Sequence, residues 1–199
     1  HVMRSLALAT AFSDRGWTVG FAASKETFAV VSAFMQAPVE RLALPAASAL
    51  EPEAMAQQWP EGADVLIVDH YERGVAFERA CQPWAKRIVV LDDFVTRDHA
   101  ADILLNSATV TMDQYRNRVA RACKLLLGPK YALVHPQFRI SRTRALKSPR
   151  ESRLQRVLVS FGQGDTANAV ASALASLVTV HFDGIVTVVL GREIGRAHV

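Results

Sequence analysis

The sequence predicts an α/β protein, a parallel β-sheet covered by helices on both faces, followed by the start of a second unit of the same kind. Three observations carry this. Short runs such as Ala63-Asp64-Val65-Leu66-Ile67-Val68 and Arg87-Ile88-Val89-Val90-Leu91 are almost wholly apolar, as strands buried on both faces are. Between such runs lie segments with apolar residues at helical spacing, joined by short turns. The alternation restarts at Arg156, after a long polar and basic stretch.

In chain order, Leu6, Ala9, Phe12 and Ser13 share one face of a first helix, which Asp14-Arg15-Gly16 ends with glycine at the C′ position. Residues 18–24 form a buried strand, and residues 25–37 a helix through Phe28, Val31, Phe34 and Met35. A second strand covers 39–44 and is closed by Pro45; a helix over 51–59 is ended by Pro60. Strand 63–68 runs into Asp69-His70-Tyr71, residues 75–86 are helical, and strand 87–91 ends in Asp92-Asp93. Ile103-Leu104-Leu105 leads to Asn106 in the same manner. Residues 125–134 are apolar with a Gly128-Pro129 turn inside, closed by His135-Pro136. The stretch 139–153, with Pro149 and three serines, reads as a linker. Beyond it come a strand over 156–161, a tight loop over 162–165, a helix over 166–178 and a strand over 185–190.

At 199 residues, 50% hydrophobic and 21% charged, the chain can bury a sizeable core in one large or two modest domains. No run approaches the roughly 18 apolar residues of a membrane span, and no signal peptide is expected at the start. Cys81 and Cys123 lie far apart with no Cys-x-x-Cys and no His/Cys cluster. That fits reduced thiols in a cytoplasm better than a disulfide or a zinc site. The net charge of +4 is concentrated: Arg139, Arg142, Arg144, Lys147, Arg150 and Arg153 face a single acid, Glu151. Elsewhere 17 basic residues meet 18 acidic ones. The basicity belongs to one arm and not to a groove, which favours a solvated linker over nucleic-acid binding.

In parallel sheets ligands sit beyond the carboxyl ends of the strands. The polar groups gather there: Asp69, His70 and Tyr71 after one strand, Asp92 and Asp93 after another, Asn106 after a third. His1 stands at the mouth of the first helix, where free N–H groups point outward and a positive field favours neutral imidazole, the form that can take a proton. The alternative for a first residue is a frayed end. Adjacent Asp92 and Asp93 point to opposite sides of their strand, against a shared metal ion and in favour of an Asx turn plus one substrate contact. Tyr71 is either an orienting hydroxyl or a ring at the core edge. His99, His135 and His181 have no partners at ligand spacing and are assigned to structure. Gly162-Gln163-Gly164-Asp165, between strand and helix, either lets backbone N–H groups approach a phosphate or meets the geometry of a turn, with Asp165 or Thr166 as N-cap. The sequence contains no nucleophile elbow, Walker loop or His-Glu-x-x-His.

Several motifs stand in one order: His1-Val2-Met3-Arg4, Val68-Asp69-His70-Tyr71, Leu91-Asp92-Asp93, Leu104-Leu105-Asn106, Leu126-Leu127-Gly128-Pro129-Lys130-Tyr131-Ala132-Leu133 and Val159-Ser160-Phe161-Gly162-Gln163-Gly164-Asp165. Together, over roughly residues 1–191, they resemble the bacterial UDP-2,4-diacetamido-2,4,6-trideoxy-β-L-altropyranose hydrolases of pseudaminic acid biosynthesis, relatives of the glycosyltransferase that makes lipid II. The first motif resembles the end of that family's G-x-G-H-x-x-R loop. The resemblance implies a GT-B-type fold of two Rossmann-like domains and metal-independent release of UDP by water attack at the anomeric carbon. It implies no cofactor and a monomeric cytoplasmic protein whose partner is a UDP-linked diacetamido trideoxy sugar, with no nucleic acid and no membrane span. It assigns catalysis to His1 and Tyr71, and substrate contacts to Arg4, Asp69, Asp93 and Asn106. Phosphate contacts fall to Gly162, Gly164, Asp165 and Asn168, with Gln163 where glycine is more usual. A glycosyltransferase serving another acceptor, and a non-catalytic sugar-nucleotide-binding protein, stay open as readings of the same residues.

The expected organisation is an N-terminal Rossmann-like domain over 1–138, the basic linker over 139–153 and an incomplete nucleotide-binding domain over 154–192. Residues 193–199, Glu193-Ile194-Gly195-Arg196-Ala197-His198-Val199, resemble a translated sequencing adapter and are expected to be a non-native tail. With the glycines before His1 and the later uridine-binding helix outside it, the chain as given is expected to be inactive.

Overall fold

Every strand pair in the computed structural model is parallel, as the unbroken apolar runs predict. The structure describes residues 1–30, 39–148, 153–161 and 168–189. The chain divides into two compact units, His1–Arg142 and Thr143–Val199. Among the described residues no helix is long and apolar enough to cross a membrane.

In the first unit, helix α1 (Val2–Ser13) buries Leu6 and Ala9 and ends just before Gly16, whose φ of +83° only glycine adopts without strain. Strands β1 (Gly20–Ala23) and β2 (Glu40–Ala43) pair in the register Gly20↔Glu40. Gly20 is needed because the Trp59 ring crosses there: a Cβ would stand 2.5 Å from it. The Trp59 indole N–H donates to Glu40 at 2.7 Å, which fixes the ring. Between the strands lies α2 (Lys25–Val30); positions 31–37 of the predicted helix lie outside the described residues. A 3-10 turn (Ser48–Leu50) leads into α3 (Glu51–Gln58), with Pro52 in the first turn, where its missing N–H is no loss.

A four-stranded sheet follows in simple sequence order: β3 (Leu66–Val68), β4 (Ile88–Leu91), β5 (Ile103–Asn106) and β6 (Lys124–Leu127). Helix α4 (Val75–Cys81) connects β3 to β4. It stops short of the predicted residue 86 because Pro83 cannot continue the hydrogen-bond ladder. Helix α5 (Met112–Tyr115), between β5 and β6, is not predicted by periodicity; at four residues it rests on a capping box between Thr111 and Gln114. The core gathers Met55, Val68, Cys81, Ala85, Ile88, Val90 and Ala101, with Trp59 and Trp84 at its edge. After β6, a 3-10 turn (Pro129–Tyr131) realises the predicted Gly-Pro turn.

The sequence reads 139–153 as a linker without assigning it a helix. Most of it belongs to helix α6 (Pro136–Lys147), opened by His135, whose Nδ1 accepts the Gln137 N–H at 3.2 Å. Arg, Lys, Leu and Ala favour helix without forming an apolar stripe, so hydrophobic periodicity could not reveal it. No residue of α6 is buried, in keeping with the predicted solvation. Residues 149–152 lie outside the described residues.

In the second unit, β7 (Arg156–Ser160) and β8 (Ile185–Val189) pair over five residues, connected through α7 (Ala169–Thr179). Asn168 precedes α7 in the left-handed conformation, φ 54°, which asparagine tolerates. Val159 is buried, whereas Leu158, Val178, Val180 and Ile185 are exposed. Residues 162–167 and 190–199 lie outside the described residues.

Candidate functional site

His1, Arg4 and Ser5 lie at i, i+3 and i+4 in and before the first turn of α1, and so share one face. That face meets the carboxyl ends of β3 and β4, where Asp69 follows β3 by one residue and Asp93 follows β4 by two. Asp69 collects most of the bonds. Its Oδ1 lies 2.5 Å from His1 Nδ1 and accepts Arg4 Nη2–H at 2.6 Å. Its Oδ2 accepts Arg4 Nε–H at 2.9 Å and the Ser5 hydroxyl at 2.8 Å. Arg4 also forks onto Asp93, at 2.7 Å from Nη1 and 3.0 Å from Nη2. One guanidinium thus ties two strand ends together with paired, charge-assisted bonds. Hydrogen bonding to Asp69, opposed by burial and reinforced by Asp93, raises the Arg4 pKa further above its ordinary value, so Arg4 is a fixed cation here.

In the neutral imidazole, a proton on His1 Nδ1 would satisfy Asp69 Oδ1 and leave Nε2 its lone pair. Arg4 Nη2 also approaches Nδ1, at 3.3 Å, but the 2.5 Å carboxylate contact dominates. The Tyr71 ring meets the imidazole edge-on with centroids 4.1 Å apart, and Phe94 lies 5.1 Å beyond it. The Tyr71 hydroxyl donates to Asp93 Oδ2 at 3.2 Å. Partial desolvation and the neighbouring Asp93 raise the Tyr71 pKa, keeping it a phenol and a donor. Next to it, His70 is a turn-former: its Nδ1 accepts the Glu72 N–H at 3.0 Å, and burial and Arg73 lower its pKa.

The structure therefore brings together His1, Arg4, Asp69, Tyr71 and Asp93. Asn106 is not among them. It is 1% exposed, its amide N–H donates to the Tyr115 hydroxyl at 2.8 Å, and its carbonyl accepts the Ala108 N–H at 2.9 Å. It belongs to a second, buried network. There Tyr115 donates to Asp92 Oδ2 at 2.7 Å, and Arg97 Nη2 donates to Asp92 Oδ1 at 2.9 Å. His99 Nε2 stands 3.8 Å from Asp92, beyond hydrogen-bond reach, while its Nδ1 is 2.6 Å from Glu78. The second Glu78 oxygen accepts the Ala100 N–H. Burial opposes charge on His99, but Asp92 and Glu78 outweigh it and push the imidazolium up to about 9. Asp92 and Asp93 thus face opposite ways, as alternation along a strand requires.

Gly162, Gly164 and Asp165 lie outside the described residues; Asn168, in the second unit, is exposed at the N-cap of α7. Sequence reasoning did not single out Ser5, Phe94 or Arg97. Ser5 was open to discovery, since helical spacing puts it beside His1; Arg97 carries no local signal in its loop. No family model matches this chain, and no curated protein sequence is significantly similar to it.

Proposed function

We propose that this chain comes from a GT-B-type nucleotide-sugar hydrolase that releases UDP from a UDP-linked 2,4-diacetamido-2,4,6-trideoxy hexose. The observation that carries the reading is the Asp69–His1 pair beside the Tyr71 hydroxyl at the carboxyl ends of β3 and β4. Asp69 fixes the imidazole tautomer so that Nε2 faces away with a free lone pair, the arrangement of a general base. Water oxygen bonds to the anomeric carbon, and its proton passes to His1 Nε2. The bond from that carbon to the phosphate oxygen breaks, and its electron pair leaves with UDP. Asp69 and Asp93 together outweigh Arg4 by one negative charge, which the imidazolium neutralises as the proton arrives. Tyr71, held as a phenol, can orient a sugar oxygen or the attacking water.

The test is UDP release from this sugar nucleotide, followed by phosphorus NMR in the protein that carries this sequence. His1→Gln should lower turnover by roughly 10²–10⁴, the worth of a general base, with little change in thermal midpoint. Near-normal turnover of that variant would remove His1 from the mechanism. UDP release that depends on an added acceptor alcohol would make the protein a transferase instead.

A further inference from the structure

Arg97 bonds to the backbone of the His1 cluster at Tyr71, and so connects the buried network to that cluster. Its Nη1 donates to three carbonyl oxygens of the loop after β3: His70 at 2.8 Å, Tyr71 at 2.7 Å and Arg73 at 3.0 Å. Two hydrogens serve three acceptors, so one is shared. Its Nη2 donates to Asp92 Oδ1 at 2.9 Å, and the Asp92 side chain is fully buried. Asp92 is held in turn by the Tyr115 hydroxyl. Because Asp92 and Asp93 are neighbours, one strand end grips Tyr71 twice. Asp93 takes its hydroxyl, and Asp92, through Arg97, takes its backbone.

The geometry points to Arg97 as a positioning residue that holds the Tyr71 loop against the end of β4 and so keeps the Tyr71 ring on His1. The inference rests on the reading of His1 and Tyr71 as the site. A lysine could keep the charge and the bond to Asp92, but its single nitrogen cannot reproduce a planar fork that also spans three carbonyls. Arg97→Lys is therefore the informative variant.

The chain has three tyrosines, so ring-¹³C-tyrosine labelling of the 199-residue protein yields three sets of signals, and Tyr71→Phe identifies one of them. In the unmodified protein a nuclear Overhauser contact should join the His1 and Tyr71 rings. In Arg97→Lys that contact should vanish and the Tyr71 signal move, while Tyr131, on its own 3-10 turn, stays in place. In the sugar-nucleotide assay of the protein that carries this sequence, kcat should fall by roughly 10–100-fold with KM little changed, the mark of lost alignment rather than lost binding. An unchanged ring contact in folded Arg97→Lys would overturn the inference. So would a variant that no longer folds cooperatively, which would assign the guanidinium to the fold alone. Missing ring contact in the unmodified protein would remove the geometry on which the inference stands. If the 199-residue chain keeps the contact but the protein that carries this sequence releases no UDP, the hydrolase reading falls while the ring contact still decides the role of Arg97.

Discussion

Two tyrosines each donate to one of two adjacent carboxylates, and their surroundings give them opposite duties. Tyr115 is fully buried and sits between Asn106 and Asp92, so Tyr115→Phe takes the partner from the buried Asn106 N–H and from one oxygen of the buried Asp92 carboxylate, whose other oxygen keeps Arg97. Leaving such groups unsatisfied costs about 1–3 kcal/mol, which a lowered urea midpoint would reveal. Tyr71 is half exposed, and its 3.2 Å bond to Asp93 is long. Tyr71→Phe should leave the midpoint within about 0.5 kcal/mol of the parent while lowering UDP release. The reverse pattern would exchange the two assignments. The rule that polar residues after an apolar strand project outward was enough to place Asp69, Tyr71 and Asp93 from sequence. It fails at Asn106 because Tyr115, nine positions later on a four-residue helix, turns back to take its amide; no periodicity in four residues could foretell that contact.

At the scale of elements, the buried network joins α4 through Glu78, the loop after β4 through Asp92, Arg97 and His99, and α5 through Tyr115. His99 should make stability depend on pH. Its pKa rises from 6.5 to about 9 on folding, so the folded state holds the proton more tightly. The contribution is fully present below about pH 6.5 and is lost as pH climbs through about 9, at about 1.4 kcal/mol per unit of separation. Burial pushes the Cys81 and Cys123 thiols up to about 11, which also lowers stability with pH, but only from their ordinary value of 9.0 upward. His70, with its lowered pKa, acts below 6.5. Between pH 6.5 and 8.5 the falling urea midpoint is therefore assigned to His99, and His99→Gln should flatten it; a slope that persists in the variant would assign it elsewhere. Helix α6 behaves differently because it buries nothing. Isolated helices of its length are marginal, so it opens readily. Trypsin should cut at Arg139, Arg142, Arg144 or Lys147 before Arg87 or Lys124, which flank core strands; earlier cleavage at the latter would contradict the exposure of α6. Strands β3, β4 and β5 were legible because burial demands unbroken apolar runs. Helix α6 was not, because its stability owes nothing to an apolar face.

Across the whole chain, the buried apolar residues are distributed unevenly between the two units. Leu6, Ala9, Met55, Val68, Cys81, Ile88, Val90, Leu91 and Leu104 all belong to His1–Arg142. In Thr143–Val199, Val159 is the only apolar residue buried among those described, and α7 buries none. The described part of this unit, two strands and one helix with open apolar faces, buries too little surface to offset chain entropy. The two units should therefore differ in autonomy. A fragment of residues 1–142 should unfold in urea as a single cooperative transition, at a midpoint close to that of the main transition of the 199-residue chain. A fragment of residues 143–199 should give no sigmoidal transition, and should associate through Leu158, Ile185 and the other exposed apolar positions as its concentration rises. Circular dichroism against urea decides the first point, and light scattering the second. A cooperative, monomeric 143–199 fragment would mean that β7, β8 and α7 close a core of their own. A 1–142 fragment without a transition would mean that the four-stranded sheet and its buried charge network need the remainder of the chain to fold.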